Sequence, residues 1–92
     1  MHTDEYEISL AREINVCTRV VNEIRAKLGE RQLRFGVDFV EASSSVAEGA
    51  LTIAQPELAA WQEDFEALPL WEQRLEEYRE ALAVMRISAS HF

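Results

Sequence analysis

Residues 4–28, DEYEISLAREINVCTRVVNEIRAKL, contain neither glycine nor proline, and their reading decides the fold class. The apolar positions Leu10, Ile14, Cys17, Val21, Ile24 and Leu28 follow one another at steps of four, three, four, three and four. That alternation is the a/d seam of a helix, held for about three heptads. Val16 and Val20 widen the stripe beyond a two-stranded seam, toward the face that a bundle core buries. In front of the stretch, Thr3 is placed as N-cap, and Asp4, Glu5 and Glu7 set negative charge against the positive end of the helix dipole. Behind it, Lys27 and Gly29 suit a helix end, while Glu30, Arg31 and Arg34 equally carry the helix on toward Phe35 and Gly36. The first helix is set at about residues 4–34.

The next segment, Gly36-Val37-Asp38-Phe39-Val40-Glu41, reads as a stop and a restart. Gly36 tolerates positive φ, and Asp38 with Glu41 has the spacing of a capping box. A short helix over residues 39–47 places Phe39, Val40 and Ala47 inward, weakened later by Ser43-Ser44-Ser45 and Gly49. Val37, Phe39, Val40 and then Leu51-Thr52-Ile53 also read as two short strands, although a lone hairpin is only marginally stable. Pro56 then opens a helix over residues 56–67, followed by Glu57 in its early turn. Leu58, Trp61, Phe65 and Leu68 form one seam, and Trp71, Leu75, Tyr78, Leu82 and Met85 a second, joined by a step of three where four was due. The missing residue falls at Leu68-Pro69, where proline removes a donor and disfavours helical geometry before it. A kink or one-residue break is expected there, with a last helix over residues 70–87. On its outer face Arg74 with Glu77, and Glu76 with Arg79, are neighbours at i,i+3.

The expected fold is all-α, one helical domain over residues 1–92. A long N-terminal helix packs antiparallel on a Pro-kinked C-terminal helix pair, with a short middle helix. Its wide stripe offers more apolar surface than the last helix covers. Leu10, Ile14, Cys17, Val21, Ile24 and Leu28 are read as a dimer or core seam, and dimerisation, most simply as a C2 pair, is expected to complete the bundle.

Composition narrows the function classes. With a single cysteine, Cys17, no disulfide scaffold forms within the chain. No apolar run reaches the ~18 to 20 residues of a membrane span, and the acidic start Met-His-Thr-Asp-Glu-Tyr-Glu is unlike a signal peptide, so a cytoplasmic location is expected. The net charge of −8 argues against a surface that tracks nucleic-acid phosphates and favours a basic protein partner. Residues 1–46 contribute −2 of it and residues 47–92 contribute −6. Such an excess steers cationic partners, or it is a solvated, glutamate-rich helix face that serves solubility.

Little in the chain points to catalysis. His2 and His91 lie at opposite ends, and Cys17 sits on an apolar seam with no histidine near it in sequence. No glutamate precedes a histidine at di-metal spacing, and Glu72, Glu76, Glu77 and Glu80 lie mostly off the seam. There is no glycine-rich phosphate loop. The expectation is a protein that is not an enzyme and holds no cofactor or metal. Trp61 and Trp71, with Phe65 and Tyr78, concentrate aromatic area in the acidic half, as interface anchors do and as core residues at helical spacing also do.

The string Glu5-Tyr6-Glu7-Ile8-x-Leu10-x-x-Glu13-Ile14 runs into Lys27-Leu28, Phe35-Gly36-Val37, Phe39-Val40 and Gly49-x-Leu51, then Trp61 and finally Trp71-Glu72-Gln73-Arg74-Leu75. Over residues 5–82 this spacing resembles a group of small helical antitoxin-type proteins of bacteria and archaea, encoded beside small toxin-like genes. The resemblance implies a helical protein that covers the positive surface of a basic, RNA-cleaving toxin, with Trp61 as an apolar anchor. Where that group carries an Asp-rich run after Gly-x-Leu, this chain has Thr52-Ile53-Ala54-Gln55-Pro56. The nearest acidic candidates for partner contact are then Glu57, Glu63 and Asp64, with Glu66 and Trp71 beyond them.

Overall fold

The computed structural model describes residues 2–90, with side chains over residues 5–87, so His91 lies outside the described residues. Three helices make up the described chain, α1 His2–Phe35, α2 Phe39–Ala47 and α3 Gln55–Ser90, and no strand is found among the described residues. Val37, Phe39, Val40 and residues 51–53 thus form no hairpin. Asp38 nucleates a helix there instead: its carboxylate accepts the main-chain N–H of Glu41 at 2.9 Å, which satisfies one orphan donor of α2.

α1 begins at His2, so Thr3 lies inside the helix rather than in front of it. It also runs through Gly29 to Phe35, the longer of the two ends the sequence allows. Gly36 at φ +77° closes it, its N–H donating to the Gln32 carbonyl at 2.8 Å. α2 ends in the same way at Gly49, φ +78°, where the N–H groups of Ala50 and Leu51 both reach the Ser45 carbonyl.

The contacts within the chain form two compact units. One comprises residues 1–21 and 70–92, the other residues 22–69. α1 and α3 pass through both, and within each unit a stretch of one packs on a stretch of the other. In the first unit Leu10, Cys17, Val21, Leu75 and Leu82 are buried, and Arg86 donates to Glu7 at 3.1 Å. In the second, Ala42, Ile53 and Trp61 form a buried cluster under Leu28, Phe35, Phe39 and Leu58. The two helices run antiparallel there: Arg34 pairs with Glu57 and Arg31 with Asp64, three residues back on one helix and seven on along the other.

Two sequence expectations need correction. α2 turns Phe39, Ala42 and Val46 inward, not Val40, which is 62% exposed, nor Ala47. Phe39, Ala42 and Val46 lie at i, i+3 and i+7, one stripe of a helix, whereas Val40 is a hundred degrees off it. Likewise Pro69 does not divide the C-terminal segment into helices 56–67 and 70–87, because α3 is helical from Gln55 to Ser90 with Pro69 inside it. Proline in a helix interior costs about 3 kcal/mol. Packing on either side outweighs that cost, with Leu58 and Trp61 held in one unit and Leu75 and Leu82 in the other. The boundary between the units on α3 falls between Pro69 and Leu70, where the two apolar seams slip by one residue. One missing residue rotates the stripe by about 100°. The slip therefore changes which face of a continuous helix is apolar.

Candidate functional site

The unit of residues 22–69 carries the most developed surface. Trp61 sits at its centre, 1% exposed, stacked on Phe35 with centroids 5.4 Å apart and meeting Phe39 edge-on at 5.8 Å. Phe39 in turn lies 5.0 Å from Phe65, and the Arg34 guanidinium covers the outer face of Phe35 at 4.8 Å. Aromatic pairs of this kind add about 0.5–1.5 kcal/mol each beyond burial. An indole so enclosed spends its area within its own unit, because Phe35 and Phe39 from two other segments close over it. The half-open ring of the series is Phe65, 41% exposed.

Of the acidic candidates, Glu57 and Asp64 are turned into the molecule. Arg31 donates to Asp64 at 2.6 Å and lies 3.7 Å from Glu57, which also pairs with Arg34. Arg34 bonds Glu30 as well, at 3.1 Å. Arg31 is itself buried, so its pairs with Asp64 and Glu57 are the enclosed part of this cluster, while Arg34 and Glu30 lie at its exposed edge. Glu63 and Glu66 remain on the exposed side of α3, where Glu66 accepts from the Gln62 amide at 2.9 Å. Trp71 belongs to the other unit and is half-buried, with the Arg74 guanidinium 4.7 Å above its ring. The seam residues fall as the periodicity placed them: Leu10, Cys17, Val21 and Ile24 are buried, and Ile14 and Leu28 half-buried.

Over Trp61 opens an apolar groove of about 580 Å³. α1 contributes Leu28 and Gln32, and the start of α2 contributes Asp38 and Phe39. On α3 the wall consists of Phe65, Leu68 and Pro69, with Glu66 at the rim. Pro69 has no N–H, so the Phe65 carbonyl four residues earlier lacks its helical donor. The site thus pairs an open hydrocarbon surface with two carboxylates.

Sequence reasoning overlooked the arginines. The seam of α1 continues beyond Leu28 at steps of three and four onto Arg31 and Phe35, and a cation at a seam position signals an acid facing it. It also overlooked Gln32 and Pro69 as walls, since only the approach of α1, α2 and α3 makes them neighbours. Among the described residues no group of three His, Cys, Asp or Glu side chains is placed to hold a metal ion, and no described helix is long and apolar enough to cross a membrane. No family model, curated protein or solved structure matches this chain.

Proposed function

We propose that this chain is a small acidic helical module that binds a basic protein, of the kind a toxin-like partner represents. The observation that carries this reading is the open groove over Trp61, whose rim carboxylates Asp38 and Glu66 form no ion pair among the described residues, while Glu57 and Asp64 pair with arginines. An exposed apolar surface beside unmatched charge is what a specific interface with an opposite charge offers. The resemblance to antitoxin-type proteins supports a small basic protein encoded beside this one as the partner. Neutralisation then amounts to covering that partner's positive surface, with no chemistry performed by this chain.

Co-expression with the product of the adjacent gene tests the reading. The pair is expected to co-purify at low salt and to separate at about 0.5 M salt, where charges are screened beyond roughly 4 Å. A Glu63→Lys/Glu66→Lys variant is expected to lose the partner while keeping its helical circular dichroism. Asp64 is left intact because its replacement would strand Arg31. A neighbour that is not basic, or that purifies separately at low salt, sinks the proposal.

A second reading, a homo-oligomer with no toxin partner, is favoured by one observation in the other unit. There Tyr6 and Val84 are exposed and line a hollow with Ala81 and Met85, edged by Glu77 and Glu80, whose apolar part a second copy would cover.

A further inference from the structure

Resting on the binding-module reading, we infer that the groove over Trp61 takes one face of a cationic amphipathic helix from the partner. Its bulky apolar side chains fill the groove, and its lysines or arginines meet the rim. Two dimensions of the groove and the charge at its rim point to this occupant. The wall on α3 runs from Trp61 to Pro69, eight residues or about 12 Å at 1.5 Å per residue. Apolar anchors at i, i+4 and i+7 of a docked helix span about 10.5 Å and match that length. The volume of about 580 Å³ suits several side chains and exceeds what one needs.

Charge then selects the sign of the partner. At the rim Glu66 accepts from the neutral Gln62 amide and Asp38 from a main-chain N–H, and among the described residues neither is paired with an arginine or lysine. A second copy of this chain is a poor occupant, because each carries a net charge of −8 and would bring like charges to the same rim.

The test uses the full chain carrying Trp71→Phe, which leaves Trp61 as the single tryptophan. Two labelled synthetic helical peptides are titrated at low salt, read by anisotropy and by Trp61 emission. One has leucines at i, i+4 and i+7 with lysines elsewhere. The other has serines in place of leucines at the same charge. The leucine peptide is expected to bind at least about tenfold more tightly and to shift Trp61 emission, and Phe65→Ala is expected to weaken it about tenfold. Glu66→Lys, on the exposed side of α3, is expected to weaken it more than Glu63→Lys does, which keeps the test valid should Phe65→Ala lose helicity. Equal affinity for both peptides, or equal effects of Glu66→Lys and Glu63→Lys, overturns the groove and leaves the acidic-module reading standing. Binding of neither peptide overturns both. Loss of a dimer on Phe65→Ala, seen by light scattering, assigns the groove to a second copy and overturns the cationic helix.

Discussion

Arg31 illustrates how a single side chain redirects the chemistry of this surface. Its guanidinium is buried on the α1 seam, and it withdraws Asp64 and Glu57 from the solvent-facing charge. Two of the acids that the sequence offered to a partner are thereby committed to the fold. Removing one member of an enclosed pair strands the other, at a cost of roughly 3–5 kcal/mol in full burial and less where water reaches the carboxylates. Arg31→Met is therefore expected to lower stability by about 2–3 kcal/mol in urea unfolding, and Arg31→Met/Asp64→Leu to recover most of the loss. A double variant no more stable than the single one contradicts this account. The sequence contained the clue, a cation at a seam position. It could not say which acid faced it, because Asp64 lies 33 residues away and only the return of α3 alongside α1 joins them.

At the scale of the element, α3 is the instructive case. Its two apolar seams were legible from spacing alone, and so was the slip at Leu68-Pro69. The continuity of the helix was not, because local propensity sees the lost donor at Pro69 and not the packing of Trp61 and Leu75 on either side. If packing holds the helix against its proline, then replacing Pro69 by alanine restores the hydrogen bond to the Phe65 carbonyl and removes a local penalty. Pro69→Ala is expected to stabilise the chain by about 1–3 kcal/mol, several degrees or more in thermal midpoint for a chain of this size. An unchanged or lower midpoint would mean that the proline geometry is itself required. α2 shows the converse. Asp38, Glu41 and Gly36 marked its start correctly, but which of its apolar residues faced inward depended on the positions of Leu28 and Trp61, outside the segment.

For the whole molecule, the wide stripe of α1 suggested a dimer because an 18-residue final helix over residues 70–87 left too much of it uncovered. α3 is 36 residues long, so α1 finds apolar partners within its own chain in each unit. One ground for self-association is the exposed Tyr6 and Val84 surface. If that surface pairs copies, light scattering at tens of micromolar is expected to give twice the 10.5 kDa chain mass, and Val84→Glu to halve it. A wild-type mass of one chain removes the homo-oligomer reading and leaves the groove as the principal apolar surface. The amino-acid sequence by itself determined the all-helical class, the apolar seams, the stop and restart at Gly36 and Asp38 and the negative charge, since these depend on periodicity and local backbone chemistry. Only the tertiary structure decided that Trp61 is enclosed, that Glu57 and Asp64 are matched by arginines and that Phe65 and Glu66 border an open groove. Those outcomes depend on which side chains meet when α1 and α3 run antiparallel, and no local pattern in the chain records that meeting.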